Sequence, residues 1–153
     1  MNINPAHWHL LVNHLPIIGG LMATLILLWG MFRRNVSIVN LSYFIFIACA
    51  VFSIIASTTG ESAEHYLKSL NAVDETILER HVSAADIANY GMIAVGALSL
   101  LTLIFERVRK VKAIPYIILI ASVVVFILMA RAGALGGDIM HKEIRTDTIP
   151  IKL

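Results

Sequence analysis

Four long apolar runs constrain this chain more than any other feature. A bilayer core about 30 Å thick needs about 20 apolar residues per helix. The runs extend from about Trp8 to Phe32, Ser37 to Thr59, Ala84 to Phe105 and Ile114 to Leu135. Inside lipid every backbone N–H and C=O needs a partner within its own segment, so runs of this length predict helices. Of the 153 residues, 58% are hydrophobic and 14% charged, which leaves too little polar surface for a water-soluble domain. The mean hydropathy of +0.81 agrees. The expected fold is all-α: one integral membrane domain over residues 1–153, built as a four-helix antiparallel bundle.

Lysine and arginine set the expected orientation. Two short connections carry Arg33, Arg34, Arg107, Arg109, Lys110 and Lys112, with Glu106 the only acid among them. The opposite side carries Lys68, Arg80, Lys142, Arg145 and Lys152, spread over longer segments and outnumbered by acids. The positive-inside rule turns the basic connections toward the cytoplasm and both termini outward. Nothing basic precedes the first run and arginines follow it, so it reads as a span rather than a cleaved signal peptide. A net charge of +2 is too small to point to nucleic acid.

The outer connection reads as helix. "GESAEHYLKSL" continues the second run without a breaker, "NAVD" reads as a turn, and Asp74 is a fair N-cap for "ETILERHVSAAD". A helical hairpin should therefore protrude on the outer side. Pro115 suits a first helical turn. Cys49 is the only cysteine, which excludes an internal disulfide, a cysteine zinc site and c-type haem attachment.

Polar chemistry collects at the outer end. The six histidines are His7, His9, His14, His65, His81 and His141, and all lie toward the outer ends of their helices. At about 1.5 Å per residue from the cytoplasmic end, His9, Glu61, His81 and Asp138 reach about 36–38 Å, and His7, His65 and His141 about 39–42 Å. Glu64 falls between them. His14 lies deeper, near Asp86 and Arg131, and these two charges are expected to pair with each other or with His14. Glu61, Glu64 and His65 share a helix face, as do Asp138 and His141. Such carboxylate–histidine pairs build metal sites in helical bundles, whereas imidazoles on two facing helices can grip a haem iron. A single interfacial histidine is ordinarily just solvated, and an acidic helical turn is ordinarily exposed.

"HLLVNHLPI", His9 to Ile17, resembles the first-helix signature H-x4-H-x-P-I of a bacterial four-helix membrane family of unknown function. His9, His14, Pro16 and Ile17 match that spacing. Thr59-Gly60 resembles a Thr-Gly pair of the family, His81 corresponds to a histidine that opens its third helix, and "GALGGDIMH" resembles its Gly-Gly-containing fourth helix. Here His141 stands closer to the Gly-Gly than the family's usual His-Gly pair, and no glycine follows it. The resemblance implies a redox or haem-linked role in a bacterial inner membrane, with His14 and His81 as one ligand pair.

Three functions follow as expectations. The first is a b-type cytochrome-like redox protein, or a haem-bearing subunit of an electron-transfer complex, with its cofactor near the outer, periplasmic face. Haem b would be held among His9, His14, His65, His81 and His141, with Arg80, Arg131 or Lys142 meeting the propionates. By height the best pairs are His9 with His81 and His65 with His141. Room would come from Gly19, Gly20, Gly91, Gly133, Gly136 and Gly137. The second is a non-haem site for iron, copper or zinc using Glu61, Glu64, His65, His81, Asp138 and His141. The third is a cofactor-free structural or assembly subunit of a membrane complex. Expected partners are the lipid bilayer, a membrane or periplasmic redox protein, and further copies or other subunits. A stand-alone enzyme is less expected than an electron-transfer or accessory subunit.

Overall fold

The computed structural model describes residues 5–70 and 73–140. These form six helices: α1 (Pro5–Val12), α2 (His14–Phe32), α3 (Val36–Ser69), α4 (Glu75–Ile104), α5 (Glu106–Arg109) and α6 (Ile114–Met140). No strand occurs among the described residues. Four stretches are long and apolar enough to cross a membrane: Pro5–Phe32, Val36–Ser69, Glu75–Ile104 and Ile114–Ile139. This is the build of a multi-pass membrane protein. The surface agrees, because many large apolar side chains, from Trp8 and Leu11 to Phe44, Ile87 and Ile127, are exposed.

Local chemistry explains the helix ends. Pro16 has no N–H to offer Val12 and its ring crowds that carbonyl, and the first span breaks at Asn13, between α1 and α2. At the end of α2, Arg34 takes a left-handed φ of 49°. The Asn35 N–H then bonds the Gly30 carbonyl at 3.0 Å and the Arg34 N–H that of Met31 at 3.1 Å, a Schellman closure. The Asn35 side chain restarts the chain as α3 by accepting from Ser37 and Ile38 N–H groups. Helix α3 runs on for 34 residues through "GESAEHYLKS", as its unbroken sequence implies. Asp74 caps α4 by accepting from the Thr76 N–H at 3.0 Å. Pro115 falls in the first turn of α6, where a missing N–H is harmless.

The helices close a ring: α2 packs on α3, α3 on α4, α4 on α6 and α6 on α2, while α1 leans on α3. Chain neighbours are antiparallel. Gly30 meets Val39, Gly19 meets Cys49, and Gly60 meets His9, so residue numbers rise on one helix as they fall on the next. Buried positions advance in alternating steps of three and four, the spacing of bundle-packed helices. The inward seam is Pro16, Gly20, Ala23 and Leu27 on α2, and Ser42, Phe46, Cys49, Ser53, Ala56 and Ala63 on α3. On α4 it is Leu78, Ala88, Met92, Val95, Ser99 and Thr102, and on α6 it is Ile118, Ser122, Val125, Met129 and Ala132.

Small residues let the seams mesh. A Cβ at Gly96 would strike Ala50 and come within 3.0 Å of the Phe46 carbonyl. Gly19, Gly20 and Gly91 lie against Cys49, Met92 and Val125, so these three glycines, expected to make room for a cofactor, instead bring packed helices together. Most buried hydroxyls bond a carbonyl of their own helix, as Thr24 does to Gly20 and Ser99 to Val95.

Candidate functional site

Continuing each seam outward leads to two matched units. On the first helix, a step of seven back from Pro16 reaches His9. On α3 the seam passes Ala56 and arrives at Gly60. The His9 Nδ1 lies 3.1 Å from the Ala56 carbonyl oxygen and 3.4 Å from Thr59 Oγ1. On α4 a step of three from Leu78 reaches His81, and on α6 a step of four from Ala132 reaches Gly136. The His81 Nδ1 lies 2.9 Å from the Ala132 carbonyl oxygen. Both acceptors lie four residues before a glycine.

That spacing has a cause. Cα–Cβ bonds tilt toward a helix's N-terminus, so the side chain at i+4 covers the carbonyl of residue i. With glycine there the carbonyl stays open to a neighbouring helix. A Cβ at Gly60 would stand 3.2 Å from His9 Cε1, and one at Gly136 would stand 3.1 Å from His81 Cε1. Each imidazole therefore occupies the space a side chain would take.

The bonds fix the chemistry of the rings. A carbonyl oxygen only accepts, so Nδ1 of each ring carries the proton. In the neutral form of such a ring the other nitrogen, Nε2, carries the free lone pair. Neither Nε2 has a hydrogen-bond partner among the described residues. Among the described residues, the fully buried side-chain polar atoms without a partner are Asn13 Oδ1, Tyr43 Oη and Ser53 Oγ. Asn13 lies one turn from His9 on its helix, and Ser53 lies one turn from Ala56. Two orphaned polar atoms thus sit just inward of the His9 unit.

The two units face the same interior. Gly20 meets Met92 across the bundle, an offset of 72 residues, and His9 and His81 have that same offset. The two imidazoles lie within electrostatic range of one another, and His14 is within range of His9.

The other expected site residues fall off the seams. His14 is exposed and donates Nδ1–H to the Leu10 carbonyl of its own chain segment at 3.0 Å. His7, His65 and Glu61 are exposed, and Glu64 is half-buried and held by Lys68 at 2.7 Å. Asp138 is half-buried, and His141, with Lys142, lies outside the described residues. Among the described residues, no three His, Cys, Asp or Glu side chains converge as a metal-ion ligand set.

Asp86 and Arg131 do not form the expected pair, and His14 pairs with neither. Asp86 is two residues from buried Ala88, about 200° around the helix, and both charged side chains are exposed. Ion pairs among the described residues include Lys68–Glu64 and Lys110–Glu106. Arg80 and Arg131 instead line an open groove between α4 and α6, whose walls include neither His9 nor His81. Gly133 faces open space.

The sequence reading missed Ala56, Ala132 and the role of Gly60. The repeated Ala-x-x-x-Gly on the inward seams of α3 and α6 was the signal that could have found them. No family model, curated protein or solved structure matches the chain.

Proposed function

We propose that this protein is a membrane-embedded, b-type cytochrome-like redox protein, or a haem-bearing subunit of an electron-transfer complex, in which His9 and His81 would hold the haem. One observation carries the reading: two imidazoles on different helices, each with Nδ1–H tied to a carbonyl and Nε2 bare. Haem ligation uses such a pair. The hydrogen bond on the far nitrogen holds each ring's tautomer and orientation and raises the basicity of Nε2. The likeness of His9–Ile17 to the H-x4-H-x-P-I signature supports the same role, with His81 paired to His9 rather than to His14.

Bound haem would supply one-electron redox chemistry. The chain's own residues would hold and orient it, with Asn13 and Ser53 as polar groups available one turn inward. A two-imidazole site fits the pairwise arrangement better than a carboxylate–histidine cage, which needs more converging ligands. The basic connections support an orientation with this end of the bundle on the periplasmic face of a bacterial inner membrane. A membrane or periplasmic redox protein would then be the electron partner.

The test is the absorption spectrum of detergent-purified protein, oxidised and then dithionite-reduced, with haem supplied during expression. Reduced α and Soret bands are expected, lost in His9→Ala and His81→Ala and kept in His14→Ala and His65→Ala. Haem-free protein despite supply would overturn the reading, as would bands that survive loss of either inward histidine. Haem-free but stoichiometric iron, copper or zinc would move the site to non-haem metal chemistry.

A further inference from the structure

The groove between α4 and α6 is an open depression of ≈ 660 Å³. Its polar wall carries the guanidinium groups of Arg80 and Arg131 and the hydroxyls of Thr76 and Ser83. Ile87 and Leu135 form an apolar stretch of the same groove. Neither arginine makes an ion pair among the described residues. Glu79 also lines the groove and forms an ion pair with neither arginine. Two guanidiniums without an ion-pair partner among the described residues thus share a groove of mixed polar and apolar lining.

Depth makes this unusual. Arg131 lies 17 residues along α6 from Ile114, about 26 Å from the end that carries the basic connection. That is near the far edge of a hydrocarbon core about 30 Å thick. An unpaired charge there must reach up to the headgroup layer or meet an anion. Arg80 stands 24 residues from Ile104 on α4, about 36 Å by the same measure, so it approaches that layer from above.

We infer that the α4–α6 groove binds an anionic phospholipid of the leaflet at the histidine end, with Arg80 and Arg131 on its phosphate, Leu135 beside the phosphate and the start of an acyl chain running inward along Ile87. Guanidinium is suited to this role because its planar fork meets phosphate oxygens in pairs. The hydroxyls of Thr76 and Ser83 add donors beside it. The apolar wall selects a lipid over a free anion. This inference rests on residence in a membrane and not on haem, so it stands or falls separately.

The experiment is native mass spectrometry of the detergent-solubilised full chain, titrated with phosphatidylglycerol, with phosphatidylcholine of the same acyl chains, and with inorganic phosphate. Phosphatidylglycerol is expected to bind more tightly than phosphatidylcholine, and Arg80→Gln and Arg131→Gln each to weaken it about fivefold. Arg131→Lys should restore part of the loss, and Lys110→Gln, at the other end of the bundle, should leave binding unchanged. Circular dichroism and melting in lipid-free detergent check that the exposed substitutions leave the fold intact. Equal binding of the two lipids, undiminished binding in the double Arg80→Gln/Arg131→Gln variant, or loss in Lys110→Gln would each overturn the inference. So would competition by inorganic phosphate at equal concentration, which would mark a free-anion site. A fall in haem content with lipid binding intact would assign the guanidiniums to propionates instead, and overturn it equally.

Discussion

His81 on α4 and Ala132 on α6 are joined by a 2.9 Å hydrogen bond that the Ala132 carbonyl can accept because Gly136, one turn on, carries no side chain. His9 and Ala56 repeat the arrangement across α1 and α3, with Gly60 in the same relation. The glycines therefore control whether each imidazole is anchored.

Substituting these glycines should separate the site from ordinary helix propensity. Gly60→Ala and Gly136→Ala put a methyl against the ring and strain the anchoring bond. Each should be about 1 kcal/mol less favourable than Gly133→Ala, the worth of a typical hydrogen bond, and reduce haem binding. Gly133→Ala meets open space and should be neutral or stabilising by up to about 1 kcal/mol. Thermal unfolding in detergent reads all three. If Gly136→Ala proves as benign as Gly133→Ala, the anchoring account fails.

Gly96 probes packing away from the histidines. Its missing Cβ is what lets α3 and α4 approach at Ala50 and Phe46. Gly96→Ala should destabilise by roughly 1–3 kcal/mol, as overpacking does. Because it lies on the far part of the α4 seam from His81, any haem remaining bound should keep its band positions. A shifted spectrum would show that the packing seam and the site are not separable.

Arg34 holds a left-handed backbone conformation that costs an L residue about 1 kcal/mol or more. Arg34→Gly should raise the melting temperature, since glycine is the preferred residue at this point of a Schellman closure. A fall would mean that the side chain contributes more than its backbone strain removes.

Ser53 is fully buried and its hydroxyl has no partner among the described residues. Ser53→Ala removes an unsatisfied group and should stabilise the cofactor-free protein by about 1 kcal/mol. Destabilisation of protein purified with its cofactor, but not of cofactor-free protein, would show that the hydroxyl serves the bound group. Destabilisation of both forms would mean that Ser53 already has a partner in the folded chain, such as a buried water.

The sequence by itself determined the helices. Runs of about 20 apolar residues, a proline at position 16, asparagine and aspartate at positions 35 and 74, and the basic connections are local signals. Hydrocarbon length, a missing N–H and capping oxygens act through neighbours within a turn or two. Thus the apolar spans, the continuation of α3 through His65 and the Asp74 cap were all legible. Counting along the helices also sets His9 and His81 at one height. Which histidines turn inward was decided by the tertiary structure. His7, His9 and His14 have the same chemistry and lie within about two turns of one another, yet only His9 falls in phase with Pro16, Gly20 and Ala23. His81 is in phase with Leu78 and Met92, while Asp86 and Arg131 are not. Phase becomes burial only when four helices close a ring, because a seam is inward only if other helices cover it. The carbonyls that hold the rings, Ala56 and Ala132, lie 47 and 51 residues from their histidines, and no local pattern pairs them. Their partnership exists because the bundle's register brings a glycine's open backbone to an imidazole on the next helix.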